Sequence, residues 1–154
     1  QGSWSRILTR MGSGTQALVI GLVEVLGALV LWRVEGPPQR LADDEVELAT
    51  VLGEWGGDVV WVDARKRVEW EKNGLPGSVL VNTDAAENFD TMVAEALPKL
   101  APAERVVVYC ATAGCDTSRE VAKRLREYQI GPRCYALYGG LRSLIEAGLI
   151  SDSK

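Results

Sequence analysis

The sequence predicts an α/β domain: an open parallel sheet with helices on both faces, preceded by one N-terminal transmembrane helix. Two observations carry this. Short β-branched runs such as Val59-Val-Trp-Val and Val106-Val-Val-Tyr alternate with segments of helical apolar spacing, the pattern of a parallel sheet covered on both sides. Ahead of them, residues 17–32 are apolar or glycine with one interruption, Glu24.

The expected organisation is an N-terminal segment 1–35 holding a helix at about 14–33, a linker 36–42, a domain 43–150 and a tail 151–154. A span needs about 20 apolar residues, with ~17 as the lower end. Trp4 and Trp32 bracket roughly 42 Å of helix, close to a full bilayer with its headgroups. No small-residue cleavage site follows the run, which weakens the reading as a secretory signal. Gly14, Ala17, Gly21, Glu24 and Ala28 share one face of this helix, and all but Glu24 are small. Small residues allow close approach of another helix, and an intramembrane carboxyl costs at least ~2.5 kcal/mol unless it faces protein or water. Gly21 and Glu24 are therefore the expected docking residues.

Gly36-Pro37-Pro38 ends this helix. From Asp43, the spacing of Val46, Leu48, Ala49, Val51 and Leu52 predicts a helix that runs to Gly53. A strand over Val59–Ala64, a helix over Arg67–Asn73, a turn at Gly74–Gly77 and a strand over Ser78–Val81 follow. Ala86–Leu100 reads as a helix with Phe89, Met92, Val93 and Leu97 inward, and Pro98 marks a point where it stops or bends. The central strand comes next. Arg133–Leu137 is another strand, Gly139-Gly140 a turn, and Leu141–Ala147 a last helix ended by Gly148.

The stretch Arg105 to Glu127 organises the domain. A valine-rich strand leads into a loop with two cysteines, and a helix with Val121, Leu125 and Tyr128 at helical spacing follows. Asp116, Thr117 and Ser118 are N-cap residue types, so the helix begins there. A thiol at the carboxyl end of a strand, facing a helix N-terminus, meets unpaired N–H groups and a favourable dipole. Cys110 is thus the expected thiolate and nucleophile. Its loop comprises Ala111, Thr112, Ala113, Gly114, Cys115, Asp116, Thr117 and Ser118.

Composition narrows the chemistry. The chain has 154 residues, 25% charged and 47% hydrophobic, which suits a globular domain. Net charge is −4, and residues 1–33 carry +2 of opposing sign, so the rest is acidic and nucleic acid is not an expected partner. There is no histidine, which removes imidazole catalysis and histidine metal sites. Three cysteines supply neither a disulfide scaffold nor a four-ligand zinc site. No cofactor and no metal are expected.

Four motifs in order resemble a rhodanese domain over about residues 40–150. Val60-Trp-Val-Asp63-Ala-Arg65 is similar to the family's first strand motif. Asn73-Gly-Leu-Pro-Gly-Ser78 is similar to its proline-glycine turn, with Gly74 where the family has histidine. Val107-Val-Tyr-Cys110 is similar to the strand that delivers the catalytic cysteine, and Leu137-Tyr-Gly-Gly140 with Leu144, Ala147 and Gly148 to the closing turn and helix. The N-terminal hydrophobic helix with a Cys-x4-Cys loop resembles membrane-anchored bacterial members.

The resemblance implies a rhodanese-like sheet and a sulfurtransferase in which Cys110 takes the outer sulfur of a sulfane donor as a persulfide and passes it to a thiol acceptor. Cys115 would resolve the persulfide or pair with Cys110 in a thiol–disulfide relay. Asp63 and Arg65 are expected to form a supporting ion pair, and Cys134 to lie in the core. The loop from Cys110 to Ser118 runs longer than the family's usual one and holds Asp116 instead of a cation, which disfavours thiosulfate. The phosphatase branch needs Cys-x5-Arg, and positions 116 and 121 are aspartate and valine. A non-catalytic accessory subunit, docked through its helix to other membrane subunits, is the alternative. The expected location is a bacterial inner membrane, in contact with lipid, with the domain in the periplasm.

Overall fold

A computed structural model describes residues 41–112, 114–128 and 133–151. The helix expected at 14–33, with Gly21 and Glu24, lies outside them, as does Ala113. Among the described residues no helix is long and apolar enough to cross a membrane.

The described residues form five parallel strands: β1 (Glu45–Val46), β2 (Val60–Asp63), β3 (Val79–Leu80), β4 (Arg105–Tyr109) and β5 (Arg133–Leu137). They lie in the order β1-β5-β4-β2-β3, with Val62 beside Val108 and Val108 beside Ala136. Helices α1 (Leu48–Gly53), α2 (Arg67–Asn73), α3 (Phe89–Leu100), α4 (Asp116–Glu127) and α5 (Gly140–Glu146) alternate with them.

The period-two alternation of β4 divides the core. Val106, Val108 and Cys110 pack with Met92, Val93 and Leu100 of α3 and with Val121, Ala122 and Leu125 of α4. Val107 and Tyr109 pack on the other side with Val51 of α1 and Leu144 of α5. Because both faces are covered, β4 carries four successive fully buried residues, Val106 to Tyr109. Each valine removed from water contributes about 1.5–3 kcal/mol.

Four expectations need correction. The segment from Asp43 does not start as a helix. It first forms β1, held by Ala136 N–H to Asp44 O and Tyr138 N–H to Val46 O, both 2.8 Å, and α1 begins only at Leu48. The third helix starts at Phe89 rather than Ala86, because the Asn88 side chain accepts from Thr91 N–H at 2.9 Å and caps it. Leu97, expected inward, is 41% exposed, and Ala96 and Leu100 fill the core instead. Pro98 does not stop this helix, which continues to Leu100. Ala94, whose carbonyl loses its usual donor there, is on the exposed side where solvent replaces it.

Candidate active site

The carboxyl end of β4 delivers Cys110 into the loop, and the loop backbone rests on the Gly139-Gly140 turn. Leu141 N–H donates to Cys110 O at 2.7 Å. Gly140 sits at φ +55°, and a Cβ there would stand 2.7 Å from Cys110 O and 2.8 Å from Thr112 O. No other residue allows that approach. Helix α4 begins at Asp116 as expected, but its N-cap is Cys115, with no side-chain capping bond. The loop is therefore Cys110 to Cys115, shorter than the expected stretch to Ser118, and Asp116, Thr117 and Ser118 form the first helical turn.

This placement favours the thiol form of Cys110, where a thiolate was expected. Cys110 is only 2% exposed, and its Sγ–H donates to Thr112 O at 3.4 Å. Burial, and then the hydrogen bond with Cys115, push its thiol up to about 11, against the Ser118 hydroxyl and the Thr112 N–H. Cys115 is half-buried. Burial opposes its charge too, but the neighbouring Cys110 and, at the head of α4, Thr117 and Ser118 outweigh it and lower its pKa. The unpaired amides of a helix converge on its cap residue, and here that residue is Cys115. Ser118, 4% exposed, stands beside Cys110 and donates to Cys115 O at 3.1 Å. Cys134 lies in the core as expected, 4% exposed in β5, and burial pushes its thiol to about 11.

Asp63 and Arg65 form the expected ion pair, and it is almost wholly buried. Arg65 Nη2 lies 2.7 Å from Asp63 Oδ2, Nε 3.0 Å from Oδ1, and Arg65 N–H 2.9 Å from Oδ1. Arg65 Nη1 also reaches Asn73 Oδ1 at 2.9 Å, and Asn82 Nδ2 donates to Arg65 O at 3.0 Å. The pair thus ties β2 to the turn after α2 and to the segment after β3. That turn is anchored to the central strand by Leu75 N–H donating to Tyr109 Oη at 2.9 Å. At Gly74 a Cβ would come within 2.5 Å of the Trp70 ring, which leaves no room for a larger residue where the family has histidine.

Above the thiols lies a cleft of ≈ 400 Å³, with Cys110, Ala111, Cys115 and Thr117 on one side and Arg65, Lys66, Glu69, Asn82 and Asp84 on the other. Lys66, Glu69, Asn82 and Asp84 were not singled out from the sequence. The available signal was their place just beyond the carboxyl ends of β2 and β3, where open α/β sheets bind ligands. Asp116 was singled out, yet it does not line this cleft. Its side chain is 95% exposed and pairs with Arg119 at 2.5 Å. Charge felt by a donor therefore comes from exposed Lys66, set against Glu69 and Asp84, and not from the loop. Lys66→Ala should raise the KM for a dianionic donor about fivefold at low salt. Asp116→Asn should change it less than about twofold. KM measured against sodium chloride concentration decides, and a larger effect at Asp116 would refute this assignment.

The comparisons agree with the geometry. The domain is similar in fold to a thiosulfate sulfurtransferase from Pseudomonas aeruginosa, at 24% identity and a TM-score of 0.52, over 75% of this chain but only 21% of that one. A Bacillus halodurans protein is similar at 17% identity and a TM-score of 0.52, covering 71% of this chain and 81% of its own. A Lactobacillus plantarum protein is similar at 20% identity and a TM-score of 0.51, covering 83% and 93%. No curated protein matches the sequence. The family model for the rhodanese-like domain matches residues 47–147, and the chain belongs to that family.

Proposed function

We propose that the chain is a membrane-anchored sulfurtransferase that carries sulfane sulfur as a persulfide on Cys110. The observation that supports this is the seat of Cys110: just past the carboxyl end of β4, where open α/β sheets bind ligands, lining a cleft it shares with Cys115. A donor surrenders its outer sulfur to the site, and a thiol acceptor removes it. The similarity to a sulfurtransferase supports the same reading at the level of fold. Intact mass after incubation with thiosulfate or glutathione persulfide should rise by one sulfur. Fragmentation of the cysteine-containing peptide should place that sulfur on Cys110, and Cys134→Ser should load like the parent. No added sulfur with either donor, or sulfur settled elsewhere, would end the reading.

A second reading is favoured by one observation. Cys110 and Cys115 are both free thiols lining one cleft, an arrangement that suits a reversible disulfide and hence a thiol–disulfide relay. Loss of two hydrogens in an oxidising glutathione buffer, with no sulfur gained from a donor, would select it.

Membrane attachment rests on the apolar run at 14–33, and docking to other membrane subunits on Gly21 and Glu24. The proposed location is a bacterial inner membrane with the domain in the periplasm. Retention of the full chain in membranes through an alkaline wash tests the anchor, and release would refute it. An accessory subunit without turnover would show the same retention and no sulfur adduct.

A further inference from the structure

We propose that Cys115 is the thiol that meets the sulfur donor, and that it hands the sulfur inward to Cys110, which lines the same cleft. The inference rests on the sulfurtransferase reading and adds a catalytic residue to it.

Access comes first. Attack on a sulfane sulfur needs that atom to approach along a free direction at the nucleophile. Cys110 lines the cleft but is only 2% exposed, and Leu141 N–H holds its carbonyl at 2.7 Å, so it offers a donor little room where it stands. Cys115 is half-buried and lines the same cleft. Order along the path from solvent is therefore Cys115, then Cys110.

Charge follows the same order. Cys115 is the N-cap residue of α4, and its surroundings lower its pKa. The Cys110 thiol is pushed up to about 11, chiefly by burial. The thiolate is the nucleophile in sulfur exchange, so the sulfur nearer solvent is also the one prepared to attack.

The chemistry balances without an outside oxidant or reductant. With a persulfide donor R–S–SH, the Cys115 thiolate forms a bond to the outer sulfur. The donor's S–S bond breaks, and its electron pair leaves on R–S⁻, which solvent protonates. Cys110 Sγ then attacks that same outer sulfur. The bond to Cys115 breaks, the pair returns to Cys115 Sγ, and the proton lost from Cys110 is taken up there. Cys110 ends as the persulfide and Cys115 as a thiol, which returns its proton to solvent. The transferred sulfur keeps its oxidation state throughout. It finishes where solvent is nearly absent.

The test is the single-turnover rate of sulfur loading from glutathione persulfide, followed by intact mass on the full chain in detergent. Cys115→Ser keeps a capping oxygen and should melt with the parent, yet load Cys110 at least about tenfold more slowly at neutral pH, because the higher intrinsic nucleophilicity of a more basic thiol only partly offsets its smaller thiolate fraction. Its rate should keep climbing through the alkaline range where the parent's has levelled. Cys110→Ser should still take one sulfur, on Cys115. Parental loading by Cys115→Ser, or no sulfur on Cys110→Ser, would overturn the inference while leaving the sulfurtransferase reading intact. Failure of the parent itself to load would instead remove that reading.

Discussion

Replacing Asp63 by alanine should destabilise the domain by about 3–5 kcal/mol, because it leaves a buried cation without its counter-ion. Asp63 is fully buried and Arg65 is 5% exposed. Burial works against the Arg65 charge, but the hydrogen bond and attraction of Asp63 more than compensate, and its pKa is raised. The guanidinium therefore stays charged in the variant. It keeps only Asn73, at 2.9 Å to Oδ1 and 3.4 Å to the backbone carbonyl, and the face of the Tyr109 ring 5.7 Å away. The urea midpoint should fall with little change in slope. Asp63→Ala combined with Arg65→Met should recover most of the loss, since the penalty lies in the orphaned charge more than in the missing bond. A loss below about 1 kcal/mol would place the pair in the class of surface ion pairs and refute its burial as the cause.

Gly140→Ala should have the second-largest effect, about 2–4 kcal/mol, and should also disable sulfur loading. Part of the cost, about 1 kcal/mol, is the left-handed backbone at φ +55°. The rest is overpacking against two carbonyl oxygens of the loop, which belong to the backbone and cannot rotate aside. To make room, the loop must lift, and the 2.7 Å bond from Leu141 N–H to Cys110 O goes with it. Gly77→Ala is the control. Gly77 has φ +83° but nothing within 4 Å of its added Cβ, so only the backbone cost of about 1 kcal/mol applies. Thermal melts and loading rates of the two variants decide. Equal losses would mean that backbone strain, and not the seat of the loop, governs Gly140.

What could be read from the sequence was set by local pattern. β5 and α2 have the predicted bounds, Arg133–Leu137 and Arg67–Asn73, and β4 shows the expected buried run. β1 was invisible because two residues cannot display a period, and Val46 falls into step with Leu48 and Val51 as part of a helix. The loop was misjudged because Asp116, Thr117 and Ser118 are all good caps, and nothing local says that the helix has already begun. The ionisation of the thiols was equally out of reach. Cys110 is buried by Val121 and Leu125 of α4 and seated on Gly140, contacts made only after the chain has folded. Lys66 and Glu69 join the cleft for the same reason, from the N-cap and first turn of α2, which read as an ordinary solvated helix start.

Both outermost strands, β1 and β3, have two residues each. An exposed sheet edge recruits another chain by offering a row of unsatisfied N–H and C=O groups, and a row this short holds a visitor for barely one repeat. The β1 edge is further guarded by Asp43, Asp44, Glu45 and Glu47, which repel the same edge of a second copy. The folded domain can therefore be crowded without polymerising through its sheet. Its aggregation risk shifts to the unfolded chain, where Val59-Val-Trp-Val, now partly buried, and Val106-Val-Val-Tyr, now sealed on both faces, would be released as uncharged β-forming segments.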